Sequence, residues 1–223
     1  MLARSPFVVG KTRLTAGLDD TRATALRAAL LLDTLESALA AGWPVHVHVD
    51  PPDHLTQVEA LLAADSGLAA EAARVRWHAQ AGGELGARMV AAVAAMLEAG
   101  HDIAVLVGSD IPDLPRAALA VAVSALAGTS PGERVVFGPA ADGGFYLVAT
   151  TGAAPLAGAF EGVTWSRPSV LAEVSARLAA DGCDVVRVAA WHDLDEPADL
   201  TALLARPGAG AARTRRVAGQ LRP

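Results

Sequence analysis

Short β-branched runs alternating with longer alanine-rich stretches of helical period are what most restrict the fold of this chain. Val45-His46-Val47-His48-Val49, Val75-Arg76-Trp77, Ile103 to Val107, Val135-Val136-Phe137, Phe145 to Val148 and Val185 to Val188 read as strands. Between them, roughly residues 19–41, 54–72, 85–99, 115–127 and 168–181 carry a helical pattern. Ala-Gly at 41–42 and 99–100 and Asp-Gly at 181–182 suit helix C-termini. This alternation predicts an α/β fold: a mostly parallel, mixed sheet flanked by helices on both faces. No repeat or linker precedes about residue 206, so residues 1–205 are expected to form one domain and 206–223 a solvated basic tail.

Composition removes several classes. A hydrophobic share of 52% excludes disorder, and the lone Cys183 excludes a disulfide scaffold and reads as a small buried residue. No apolar run approaches the ~18 residues of a membrane span. Met1 to Pro6 lacks the apolar stretch of ~7–15 residues that a signal peptide needs, so the expected location is the cytoplasm. The net charge is −6 although the last 18 residues hold five arginines and no acid, which leaves an acidic body. An acidic body argues against a nucleic-acid partner. Seventeen arginines stand against one lysine, Lys11, and that imbalance directs attention to its loop.

Ligands of parallel α/β sheets bind at the carboxyl ends of the strands, so the residues after each strand matter most. In Gly10-Lys11-Thr12-Arg13, the glycine permits a tight turn and two cations suit phosphates, although a solvated basic turn explains the same residues. The GxxxxGK[ST] spacing of a P-loop is absent. Asp110, in Gly108-Ser109-Asp110-Ile111-Pro112 after the most hydrophobic strand, is a candidate ligand for Mg²⁺ or Mn²⁺, which prefer oxygen donors. Asp113, before Leu114-Pro115, reads as a helix cap. Asp142-Gly143-Gly144 lies between two strand-like runs: it is either a hairpin turn or a small-residue surface for a sugar. Asp193 and Asp195 share one side of an extended segment. Asp193 is the better partner for Asp110, because Asp195 before Glu196-Pro197 suits a helix N-cap. His46 and His48 read as a satisfied pair on an exposed or edge strand, and His78, His101 and His192 lack metal-site spacing. No G-x-S-x-G, CxxC or H-E-x-x-H motif is present.

Six segments in order carry a resemblance: Lys11 to Leu14, Gln80 to Met89, Gly108 to Leu114, Gly138 to Leu147, Val163 to Ser166 and Asp193 to Leu200. Together they resemble a bacterial family of GT-A-type glycosyltransferase-like proteins, first catalogued as a domain of unknown function within the nucleotide-diphospho-sugar transferase superfamily. The resemblance implies a GT-A fold and a metal-dependent transferase that uses a nucleotide-sugar donor and a small-molecule acceptor. Carried over, Lys11 and Arg13 would meet phosphates, and Asp110 would be the acid that binds Mg²⁺ or Mn²⁺. Gln80, Gly82, Gly83 and Arg88 would line the nucleotide pocket. Asp142, Gly143 and Gly144 would face the donated group or the acceptor, and in an inverting reaction Asp142 would take the acceptor's proton. Lys11 to Leu14 and Asp193 to Pro197 are also similar to small nucleotidyltransferases such as 2-phospholactate guanylyltransferase, which couple a nucleoside triphosphate to a phosphorylated small molecule. A third expectation is a non-catalytic domain that binds nucleotide. The resemblance departs at one point: only Met1-Leu2 precede Ala3 where the family has an apolar strand, so either the start lies upstream or the first strand is built from very little.

Overall fold

The structure, a computed structural model, describes residues 1–208 and 210–221. Seven strands and eight α-helices follow one another as β1 (Leu2–Arg4), α1 (Asp20–Leu39), β2 (Val45–Asp50), α2 (Leu55–Ala64), β3 (Val75–Ala79), α3 (Leu85–Glu98), β4 (Ala104–Val107), α4 (Arg116–Leu126), β5 (Arg134–Pro139), β6 (Phe145–Thr150), α5 (Ala154–Phe160), α6 (Val170–Ala180), β7 (Asp184–Arg187), α7 (Pro197–Ala205) and α8 (Ala212–Leu221) among the described residues. Two hydrogen-bonded sets form, ordered β1-β2-β3 and β4-β6-β5-β7. The first is parallel throughout, and β5 pairs β7 in parallel. Strand β6 runs antiparallel to both neighbours because the 140–144 turn folds β5 straight back into it.

Alternation along the strands sorts side chains between two cores. Val136, Leu147 and Ala149 join the cluster covered by α1, α2 and α4. Val135, Phe137 and Val148, one position out of phase, join the cluster under α3, α5 and α6. Helices therefore cover both faces, as the strand–helix alternation predicts. Strand β1 spans three residues, with Leu2 paired opposite His48.

Three expectations are corrected. The helix over 54–72 stops at Ala64, because Asp65 turns extended and its carboxylate accepts the Gly67 and Leu68 N–H groups at 3.0 and 3.1 Å. Residues 69–74 then form a separate 3₁₀ turn. The 206–223 stretch is no solvated tail over its described part: α8 packs on α1, and the Arg213 guanidinium is buried against Asp33, Glu36 and Asp65 at 3.0, 2.9 and 2.6 Å. Asp33 also accepts the Arg213 and Thr214 backbone N–H groups, at 3.2 and 2.7 Å, which caps α8 from another helix. The histidines correct the third. Strand β2 is central in its set, His48 is buried, and His46 bonds His78 at 2.9 Å and His101 at 3.1 Å.

Burial, then the neighbouring positive groups (His78, His101, the terminal amine and Arg76), pushes His46 down to about 4. Burial does the same to His48, down to about 3, with the amine, His78 and His46 adding to it. Folding therefore favours neutral imidazoles. That contribution is complete above the ordinary value of 6.5 and is lost as pH falls towards 4. The melting temperature should fall as pH is lowered from 7 to about 4.5, and less steeply in His48→Gln; parallel curves for the two proteins would contradict this. Asp33→Ala should cost about 3–5 kcal/mol in urea unfolding, because it leaves Arg213 with less compensation and α8 without its cap. A loss below about 1 kcal/mol would mean that water replaces the carboxylate.

Candidate active site

The loops after the parallel strands converge on one cleft of about 550 Å³, lined among others by Arg4, Lys11, Arg13, Arg27, Asp50, Gln80, Arg88, Asp110 and Asp195. Two backbone links hold its floor. Leu194 N–H donates to the Asp110 carbonyl at 3.0 Å, tying the segment after β7 to the loop after β4. Asp195 and Glu196 donate their N–H groups to Asp199 Oδ2 at 2.9 and 2.8 Å, which fixes the start of α7.

Asp110, Asp193 and Asp195 thereby bring one carboxylate oxygen each to within 4.8 Å of one another. Burial, followed by the charges of Asp110, Asp195 and Asp142, raises the Asp193 carboxyl to about 6. Gly108 makes room for this arrangement: a Cβ there would lie 2.6 Å from Asp110 Oδ1. The three oxygens form a hard donor set that fits a divalent ion such as Mg²⁺ or Mn²⁺. The Lys11 ammonium bonds both Asp110 Oδ2 and Asp195 Oδ1. Its backbone is left-handed, at φ 52°, and Thr15 holds its carbonyl with N–H and Oγ1 donors at 2.9 and 3.0 Å. Two negative neighbours outweigh burial and keep Lys11 well above the ordinary lysine range.

The other expected residues divide. Arg13 stands at the mouth of the cleft, held by Glu196 at 2.7 Å. Arg88 donates to Gln80 Oε1 at 2.9 Å and lies 3.7 Å from Asp50, and all three line the cleft. Gly82 and Gly83 form the turn ahead of α3 and are not among the lining residues. Asp142, Gly143 and Gly144 form the β5–β6 hairpin turn, also outside the lining set, with Gly144 N–H donating to Asp142 Oδ1 at 2.9 Å. Gly143 leaves no space for a sugar on its Cβ side: at φ 89° a Cβ would stand 2.1 Å from the Pro168 carbonyl oxygen. Asp142 still faces the acids closely enough to raise Asp193.

Asp195 and Asp113 are also corrected. Asp195 is not the cap of α7, since Glu196 takes that position; it is a member of the acid group. The i,i+2 spacing with Asp193 is the signal that marks it. Asp113 is not the cap of α4, which is Pro115; it bonds Trp191 Nε1–H at 3.2 Å and Arg206 at 2.9 Å. Arg4, Arg27 and Asp50 join the cleft with no motif to announce them.

No curated protein matches the chain in sequence. Among solved structures it is similar to a protein of Desulfovibrio desulfuricans G20, provisionally described as a nucleotide-diphospho-sugar transferase. The identity is 25%, the TM-score 0.78, and the match covers 98% of this chain and 93% of that one. Two further structures share the fold at 16% identity. One is 4-diphosphocytidyl-2C-methyl-D-erythritol synthase, at TM-score 0.52 over 91% of this chain and 95% of that one. The other is CMP:2-keto-3-deoxy-manno-octonic acid synthetase, complexed with CTP, at TM-score 0.50 over 98% and 97%. The fold is thus that of the nucleotide-diphospho-sugar transferases. A family match runs over residues 34–167, more than half of the chain, and takes in Gln80, Arg88, Asp110 and Asp142. The chain belongs to the bacterial family described as "Uncharacterized protein conserved in bacteria (DUF2064)".

Proposed function

We propose that this protein is a divalent-metal-dependent transferase whose donor is a nucleotide-sugar and whose acceptor is a small molecule. The observation that carries the reading is the meeting of the Asp110, Asp193 and Asp195 oxygens within 4.8 Å, at the strand ends. The cleft beside them is lined by five basic side chains, Arg4, Lys11, Arg13, Arg27 and Arg88, in a chain that is acidic as a whole. Such a cleft suits a polyphosphate carrying its own cation. Bound Mg²⁺ or Mn²⁺ supplies charge neutralisation to a diphosphate leaving group. In this reading Asp110, Asp193 and Asp195 hold the cation, and Lys11 and Arg13 stabilise charge developing on the phosphates. Gln80 and Arg88 form the wall for the nucleotide, and the turn at Gly82 and Gly83 sets the start of that wall. Asp142, on the β5–β6 turn, takes the acceptor's proton, with Gly143 and Gly144 fixing the turn that carries it. Residues 1–205 form the transferase unit, with α8 as its brace. Among the described residues no helix is long and apolar enough to cross a membrane, and a cytoplasmic enzyme fits the proposed substrates.

A second reading is nucleotidyl transfer from a nucleoside triphosphate to a phosphorylated small molecule, which the five basic side chains of the cleft also suit. The two separate by product. Free sugar, released slowly from a nucleotide-sugar and Mn²⁺ without acceptor, supports the first. Pyrophosphate from a triphosphate and a phosphorylated acceptor, with no free sugar from any donor, replaces it with the second. Binding of nucleotide with no product of either kind would leave a non-catalytic domain.

A screen of nucleotides and nucleotide-sugars with Mg²⁺ or Mn²⁺ should find a ligand that raises the melting temperature. At 100 times its dissociation constant it adds about 2.7 kcal/mol. For a chain of this size that is a shift of about 5–10 °C. Asp110→Asn should abolish the metal-dependent shift while melting close to the parent when no ligand is added. A full shift in the variant would reduce Asp110 to a turn residue.

A further inference from the structure

The place where the proposed cation would bind is also where the Lys11 ammonium sits, bonded to Asp110 and Asp195. The side chain is only 23% exposed, so its charge is committed to those acids rather than to solvent. A compact ammonium with three donors fits between converging carboxylates much as a metal ion does, whereas a planar guanidinium does not. In a chain of seventeen arginines, the one lysine stands between these converging carboxylates. The loop beneath it is fixed: the backbone is left-handed at φ 52°, and Thr15 holds its carbonyl through two hydrogen bonds. The flexible four-carbon stem above it can swing without moving the loop, and the cleft it would swing into is lined by Thr12, Arg13 and Ser109.

We propose that Lys11 is a built-in, exchangeable counter-ion: it competes with the divalent cation for Asp110 and Asp195 and is released towards the polyphosphate when cation and nucleotide are loaded together. The proposal rests on the reading of the cleft as a metal–nucleotide site. In the free protein the ammonium offsets part of the charge of Asp110, Asp193 and Asp195, so a bare divalent ion must displace it and binds weakly. A metal–polyphosphate complex gives the displaced ammonium a new anionic partner, so the exchange no longer leaves a charge unpaired. The coupling makes metal alone a poor ligand and the metal–nucleotide complex a good one, and it delivers Lys11 to the phosphates only when the cation has arrived.

The test uses the full chain, Mn²⁺ alone followed by titration calorimetry, and then pyrophosphate in the presence of Mn²⁺. Lys11→Met should bind Mn²⁺ alone about tenfold more tightly than the parent, and pyrophosphate with Mn²⁺ about tenfold more weakly. Lys11→Arg should not restore the parent values. Opposite signs in the two titrations are the signature, since a lysine serving only phosphate, or only the fold, would not improve binding of the bare ion. Unchanged or weakened Mn²⁺ binding in Lys11→Met overturns the exchange. The parent offers an independent check that needs no variant. Lys11 is the only lysine, so its labelling by an amine-reactive ester can be followed by peptide mapping. Saturating Mn²⁺ should raise its labelling rate severalfold; protection by Mn²⁺ would mean that both cations share the acids, and overturns the proposal. If the parent and Lys11→Met bind neither Mn²⁺ nor pyrophosphate, the reading of the cleft itself falls. Normal metal-dependent binding in both, with no change in Mn²⁺ affinity, removes only the exchange.

Discussion

Three carboxylates do not stay within 4.8 Å of one another without positive charge among them, and in this protein that charge is the Lys11 ammonium. Much of the surrounding architecture serves this encounter. Gly108 follows strand β4 at a point where a side chain would strike Asp110. The segment after β7 is tied by its Leu194 N–H to the Asp110 carbonyl, which sets Asp193 and Asp195 against the loop. The left-handed turn at Lys11 brings the balancing charge from the start of the chain. Three segments far apart in sequence thus meet because one ammonium and three acids need each other. Burial first, and then the charges of Asp110, Asp195 and Asp142, still raise the Asp193 carboxyl to about 6 against the pull of Lys11.

How much of this was legible in the sequence depended on the range of the interaction. The strands were readable because Val, Ile and Phe alternate over four to six residues, and that period survives in Val135, Val136 and Phe137 pointing to opposite cores. Asp110 was readable because it follows the apolar run of β4 between Gly108 and Pro112, and Asp193 because its i,i+2 spacing with Asp195 sets two acids on one side of an extended segment. Asp195 was misjudged because the residue before Glu196-Pro197 makes a good cap, and only the Asp199 side chain, turned back onto Asp195 and Glu196, shows the cap displaced by one. Asp142 exposed the limit of composition: the acid and two glycines suit a hairpin and a sugar surface equally. Pro168, packed 2.1 Å from where a Gly143 Cβ would be, decides for the hairpin from 25 residues away along the chain.

The histidines and the arginine-rich end failed for a related reason. His46, His48, His78 and His101 come from two strands and a loop, so no spacing within one segment announces that they share hydrogen bonds and stacked rings. Arg213 looks like part of a solvated basic stretch until α8 is laid on α1, where Asp33 is already buried and needs a partner. Long-range charge pairing is invisible to periodicity, which reports only the face a side chain occupies.

Arg213 is held by three acidic residues and Lys11 by two, and the contrast between them separates structure from chemistry. Arg213 meets Asp65 through two parallel hydrogen bonds at 2.7 and 2.6 Å and Asp33 through a third at 3.0 Å. The planar guanidinium is held at several points, most of its side chain is buried, and Asp33 is spent on the backbone of α8 as well. Removing that cation would leave the buried Asp33 carboxylate without its guanidinium partner, so its place is permanent. Lys11 meets its acids with one rounded head on a flexible stem, at the edge of an open cleft. A cation held that way can be exchanged for another of higher charge without loss of the fold. The acidic body of this chain therefore contains two kinds of carboxylate group, one closed by a fixed arginine and one left negotiable by a lysine, and the negotiable one faces the cleft.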